Sequence, residues 1–257
     1  MKDSTARFSA RPDAPCVVVL HEVWGPDSHI ANVCKRLSKL GFATAVPSLY
    51  KGHEELFTPR NIQRAMEAVW DLSLEERRDK KIVATELARK NASSEVDEVL
   101  SVLYDQRFRD GMLEITMRAV RDARQRHSKV ATLGFSLGGG LALAATTRLN
   151  PPDCAIAYCG EPPKSQSLSG VSVPMLAIYA NHDELMNPKV PAFVEAALKH
   201  GNDLTVKTFP NTRHDFFNET KKDLYDRAAA EEAWNVTASF LTRTLKAPFL
   251  SKKYRGL

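Results

Sequence analysis

Gly134-Phe135-Ser136-Leu137-Gly138-Gly139-Gly140 decides the reading of this chain. An apolar, strand-like run, Val130 to Leu133, precedes it, and a helix-like run, Leu141 to Leu149, follows. That setting turns the common pattern G-x-S-x-G into a nucleophile elbow, a tight strand-to-helix turn that lifts a serine hydroxyl clear of the chain. Side chains two residues before and after the serine would crowd such a turn, and glycine removes them. A helix beginning just beyond the serine also points backbone N–H groups at any negative charge formed there. The competing reading is a Gly-rich turn with the serine as a helix cap. Strand before and helix after favour the nucleophile.

Outward from the elbow, the chain alternates strand-like and helix-like runs. Cys16 to His21 is a short β-branched run, read as a buried strand. Pro26 to Leu40 carries Ile30, Val33, Leu37 and Leu40 at helical spacing, with Gly41 as its stop. Phe42 to Val46 is the next strand, which completes a βαβ unit and points to a parallel sheet. After the middle of the chain the rhythm resumes. Met112 to Arg126 is helix, Lys129 to Leu133 strand, and Leu137 to Leu149 helix. Cys154 to Cys159 and Pro174 to Ala180 are strands. Pro188 to His200 is helix, Leu204 to Phe209 strand, and Lys221 to Leu245 a closing helix. The expected fold class is α/β: a mostly parallel open sheet with helices on both faces. Lys51 to Asp110 breaks the rhythm, being charged and rich in helix formers. It reads as a helical, lid-like insertion over the sheet edge, within one domain spanning residues 1–257.

Composition narrows the function classes. The 257 residues are 43% hydrophobic and 26% charged, which suits a globular domain. No run approaches the roughly 18 apolar residues of a membrane span. Met1 to Ala10 is polar and charged, unlike a secretory leader, so a cytoplasmic location is expected. Cys16, Cys34, Cys154 and Cys159 form no CxxC pair and are expected as buried reduced thiols. The net charge of +5 comes partly from Lys246, Lys252, Lys253 and Arg255. No basic stripe interleaved with aromatics occurs, so nucleic acid is not an expected partner.

A serine hydroxyl needs a base to take its proton, and the base needs an orienting acid. In open α/β sheets such groups gather at the carboxyl ends of strands. Asn181-His182-Asp183-Glu184 follows one strand, and Pro210-Asn211-Thr212-Arg213-His214-Asp215-Phe216 follows the next. Ser136, Asp183 and His214 then stand in the chain order of α/β hydrolases. Ser136 is assigned as nucleophile, His214 as general base and Asp183 as the orienting carboxylate. His182 competes as base, and Glu184 and Glu22 compete as acid. The expected oxyanion donors are the amide of Leu137 and that of Val23, in the loop Glu22-Val23-Trp24-Gly25, each worth roughly 3 kcal/mol. No HExxH-type spacing supports a metal, and neither metal nor cofactor is expected.

These residues resemble the dienelactone hydrolase family. The resemblance lies in Val17-Val18-Val19-Leu20-His21-Glu22-Val23-Trp24-Gly25, the elbow, the Asp183 loop and His214-Asp215-Phe216. It spans roughly Cys16 to Leu245 and is weakest over Lys51 to Asp110. It implies cofactor-free hydrolysis of small esters or lactones. It also implies that Glu22 lies in the active site and modulates the nucleophile; Trp24, in the same loop, is a further candidate for substrate binding or for modulating the nucleophile. Two departures stand out. Well-known members carry a cysteine nucleophile where this chain has Ser136. They also place an arginine soon after the catalytic histidine, where this chain has Asn218 or a neighbour and no arginine until Arg227. That departure bears on whether dienelactone itself is a substrate. Arg60 and Arg64 are the candidate anion-binding replacements. Leu56, Phe57, Met66 and Trp70 are read as either pocket or lid-core residues. The expected partner is a small-molecule ester or lactone, the chain acting as monomer or homodimer. The rival readings are a peptidase or amidase on the same triad, and a binding protein that has lost its chemistry.

Overall fold

The computed structural model describes residues 14–245. The basic tail and the polar first residues noted above lie outside that range. In chain order the elements are β1 (Cys16–Leu20), α1 (Ser28–Lys39), β2 (Ala43–Ala45), α2 (Pro59–Ala68), α3 (Lys80–Arg89), α4 (Ser94–Leu103) and α5 (Gln106–Arg124). There follow β3 (Val130–Phe135), α6 (Leu137–Ala145), β4 (Cys154–Tyr158), β5 (Met175–His182), α7 (Val190–His200), β6 (Leu204–Arg213) and α8 (Arg227–Leu245). The six strands form one sheet in the order β2-β1-β3-β4-β5-β6, and every neighbouring pair is parallel.

The sheet is buried on both faces, so its central strands are apolar runs rather than alternating ones. In β1 the strand period of two sends Val17 and Val19 into a core with Ile30, Val33 and Leu37 of α1 and Trp234 and Leu241 of α8. Cys16, Val18 and Leu20 face the other way. They join Met117 and Val120 of α5, Ala142 of α6, and the insertion residues Ile62, Met66, Val99 and Leu100. The insertion therefore shares a continuous core with the sheet face that carries α5 and α6. A third cluster packs α7, through Phe193 and Ala197, against Met175, Ala177 and Tyr179 of β5.

Several boundaries differ from the sequence reading for identifiable reasons. α5 begins at Gln106, six residues before the apolar periodicity starts, because the Asp105 side chain caps it by accepting from the amides of Arg107 and Phe108. β6 continues past Phe209 through Pro210 to Arg213, with an irregularity opposite Ala180 to His182. Proline is tolerated at this sheet edge. α8 starts at Arg227 rather than Lys221, behind hydrogen-bonded turns at Leu224 and Tyr225. No helix among the described residues is long and apolar enough to cross a membrane.

Candidate active site

Ser136 links β3 directly to α6 with φ 48° and ψ −112°, a conformation that residues with a Cβ seldom adopt. The surrounding glycines make it feasible. A Cβ on Gly134 would lie 2.1 Å from the carbonyl oxygen of Gly138. A Cβ on Gly138 would lie 2.3 Å from that of Leu20. The start of α6 is thus pressed against the end of β1, and the Ser136 amide is held by the Tyr158 carbonyl at 2.8 Å.

The strand-end residues converge on this hydroxyl. Ser136 Oγ lies 2.7 Å from His214 Nε2, and His214 Nδ1 lies 2.7 Å from Asp183 Oδ2. With Nδ1–H donating to the carboxylate, Nε2 is free to accept the serine proton. The other Asp183 oxygen accepts from the amides of Leu185 and Met186, both at 3.1 Å. Burial disfavours a charged His214. The hydrogen bond and charge of Asp183, aided by Asp215 and Glu22, outweigh that and push it up to about 9. The rival residues His182 and Glu184 are exposed.

The amide of Leu137 is the first of α6 and has no intrahelical acceptor. Val23 lines the same cavity as Ser136 and Leu137. Glu22 is buried beside Ser136 and His214. Its carboxyl oxygens are each 3.3 Å from Asn218 Nδ2, which donates where the resemblance would put an arginine. Burial, reinforced by nearby Asp215, pushes Glu22 up to about 8, although His214 and Asn218 pull the other way. Trp24 is half-buried, with Lys221 Nζ 3.6 Å above its ring.

A cavity of about 460 Å³ opens from Ser136. Met66, Leu103, Met112, Leu113 and Leu141 supply apolar wall, and Arg77, Arg78, Arg109 and Glu161 a polar end. Glu161 gathers Arg78 (Nη1, 3.0 Å), Arg109 (3.0 Å) and Lys189 (2.8 Å). Burial opposes its ionisation. Hydrogen bonds from Arg78 and Lys189, with the charges of Arg78 and Arg109, nevertheless hold it down to about 2. These cations correct the expectation for Arg60 and Arg64, which sit on the exposed face of α2 with Glu95 near both. The amphipathic turn of α2 sends Ile62 and Met66 inward and those arginines outward. Of the four apolar insertion residues, Met66 reaches the cavity, while Phe57 stacks on Tyr50 with centroids 4.3 Å apart. Leu56 packs part-buried against the core, and Trp70 is 57% exposed. Sequence reasoning missed the Glu161 cluster. Its one local signal is position, since Gly160-Glu161 lies just beyond the carboxyl end of β4.

Cys159, Asp183 and His214 form the one trio of potential metal donors brought together among the described residues. Burial pushes the Cys159 thiol well above its usual range, and Asp183 and His214 are engaged in the chain to Ser136. Asp183 and His214 therefore fit the hydrogen-bonded chain to Ser136 better than a cation site shared with Cys159.

The model of the dienelactone hydrolase family matches residues 4–245. A "Putative carboxymethylenebutenolidase" of Saccharolobus solfataricus is 31% identical over 243 residues, covering 93% of this chain and 94% of that protein. A protein of the same description from Aquifex aeolicus is 29% identical, covering 90% and 89%. Among solved structures, a dienelactone hydrolase-like promiscuous phosphotriesterase from metagenomic libraries superposes with a TM-score of 0.68 at 16% identity, covering 93% of this chain and 97% of that one. The esterase PE8 gives 0.57 at 13% identity, covering 93% and 98%. At those identities the likeness is one of fold.

Proposed function

This chain belongs to the dienelactone hydrolase family, and on that premise we propose that it is a serine hydrolase cleaving small carboxylic esters or lactones through an acyl-enzyme. The observation that carries the reading is the unbroken chain from Asp183 through His214 to Ser136, with both links at 2.7 Å. His214 Nε2 takes the proton as Ser136 Oγ attacks the ester carbonyl carbon. The carbonyl oxygen becomes an oxyanion and accepts hydrogen bonds from the amides of Leu137 and Val23. As the tetrahedral intermediate collapses, the C–O bond to the alcohol breaks, and His214 returns its proton to that oxygen. Water, deprotonated by the same imidazole, then attacks the acyl-enzyme. Acid leaves and Ser136 recovers its proton.

A hydroxyl ionises far less readily than a thiol, so this scheme leans on His214 rather than on Glu22. Glu22 faces the Asn218 amide rather than an arginine, and its burial favours the protonated form, which suits a polar wall rather than one half of a fixed ion pair. The cavity volume suits a small ester or lactone. The four cysteines are free, in keeping with a cytoplasmic setting.

Mass spectrometry after treatment with a fluorophosphonate, beside p-nitrophenyl acetate hydrolysis by wild type and Ser136→Ala, tests the proposal. One adduct, on Ser136, with activity lost in the variant, supports it. No adduct and no turnover above background would replace it with the binding-protein reading.

A further inference from the structure

His21 takes no part in the proton transfers described above, yet it is fully buried at the end of β1 and both of its ring nitrogens are engaged. The Leu49 amide nitrogen lies 3.3 Å from Nε2. An amide can only donate, so Nε2 accepts. The ring proton therefore sits on Nδ1, which donates to the Glu22 carbonyl oxygen at 2.7 Å. The two bonds select one neutral tautomer. Burial, against weaker pulls from the Glu22 backbone and Asp27, holds the imidazole down to about 4, so that tautomer persists at neutral pH.

The Glu22 carbonyl shares a peptide plane with the Val23 N–H. The bond is trans, so the two point in opposite directions. Anchoring the carbonyl therefore aims the amide. The Gly25 amide donates to the same carbonyl at 3.1 Å. Tyr50 Oη donates to the Val23 carbonyl at 2.6 Å, fixing the next plane. The Tyr50 ring meets the His21 ring edge-on, with centroids 5.1 Å apart. Two touching rings thus hold the two peptide planes that flank Val23. The helix start carrying Leu137 is pressed against the same corner through the contact of Gly138 with the Leu20 and His21 carbonyls.

Resting on the serine-hydrolase reading, we propose that His21 is a positioning residue which, with Tyr50, locks the Glu22–Val23 peptide so that its N–H stands ready for the oxyanion. A donor fixed before the reaction needs no reorganisation when the charge develops, and that is the source of its effect. Freed of the lock, the peptide can rotate and its donor is lost for part of the time.

The test compares His21→Gln, His21→Asn and Tyr50→Phe with wild type. Steady-state hydrolysis of p-nitrophenyl acetate and inhibition by an aryl trifluoromethyl ketone, which forms a tetrahedral adduct with the serine, are the readouts. His21→Gln lacks a donor at the Nδ1 position. Its kcat should fall roughly tenfold or more, with the hundredfold of a wholly lost oxyanion donor as the limit. KM should barely change, ketone affinity should fall by a similar factor, and the rising limb of the pH profile should stay in place. Asparagine puts an amide N–H where Nδ1 was, so His21→Asn should recover most of the loss. Tyr50→Phe should show a smaller loss of the same pattern. A folded His21→Gln with wild-type kcat overturns the proposal. So does a kcat loss with unchanged ketone affinity, or an asparagine variant no better than the glutamine one. If His21→Gln does not fold, Tyr50→Phe decides, and wild-type kcat and ketone affinity there count against the lock. Wild type that is labelled on Ser136 and active, with indifferent variants, removes only the positioning role. Wild type that is neither labelled nor active removes the hydrolase reading and this inference with it.

Discussion

Replacing Ser136 by glycine rather than alanine should make the protein more stable, by about 1 kcal/mol. Both variants lose the hydroxyl and its 2.7 Å bond to His214, so the comparison isolates the backbone. At φ 48° and ψ −112° a residue with a Cβ carries about 1–3 kcal/mol of strain, and glycine carries little. Against that stands the extra freedom of glycine in the unfolded chain, about 0.5–1 kcal/mol. The difference favours glycine by about 1 kcal/mol, or a Tm higher by about 2–4 °C in a protein of this size. Urea and thermal unfolding of Ser136→Ala and Ser136→Gly measure it. Ala144→Gly, within α6, is the control and should have the opposite sign, costing about 1 kcal/mol. If Ser136→Gly is no more stable than Ser136→Ala, the elbow does not store strain and the account of Gly134 and Gly138 fails with it.

Four further outcomes are expected. Because His214 must be neutral to act as base and is held above its ordinary value, kcat/KM should rise with pH between about 7 and 9. Asp183→Asn should move that limb down and cut kcat by roughly 10⁴-fold, and a wild-type limb centred at or below the ordinary histidine value would contradict the geometry. Glu22, raised from 4.5 to about 8, keeps a proton in the folded state that the unfolded chain releases, so its contribution to stability falls as pH climbs through that window. Glu22→Gln lacks this slope. In urea titrations from pH 5 to pH 8.5 its stability should therefore gain on wild type steadily, whereas parallel curves would mean an unburdened carboxylate. Gly138→Ala should cost about 3 kcal/mol or more, since its Cβ would meet the Leu20 and His21 carbonyls at 2.3 and 2.6 Å and backbone cannot move aside cheaply. Near-wild-type unfolding of that variant would refute the close approach of α6 to β1.

The elbow was legible because its cause is local. A serine with positive φ between strand and helix needs glycine at fixed offsets, and the offsets are visible in the chain. Asp183 and His214 were legible because parallel strands deliver their carboxyl ends to one edge, so residues just after β5 and β6 had to lie near the elbow. The apolar stripe of α1 likewise announced its buried face.

Other features had no local cause. Arg78, Arg109 and Lys189 lie 83, 52 and 28 residues from Glu161, and nothing in their neighbourhoods marks them as partners. Arg60 and Arg64 looked equally suitable, but the inward turn of Ile62 and Met66 carried them to the surface. His21 has no role legible in the sequence, and only the Leu49 amide, 28 residues away, fixes its tautomer. The sequence by itself determined the parallel sheet, the strained serine and the order of its partners, since those follow from periodicity and from the steric needs of one turn. The tertiary structure alone decided which cations line the cavity, that Asn218 faces Glu22, and that His21 holds a peptide, because side-chain direction and desolvation are set by what packs against a residue from distant parts of the chain.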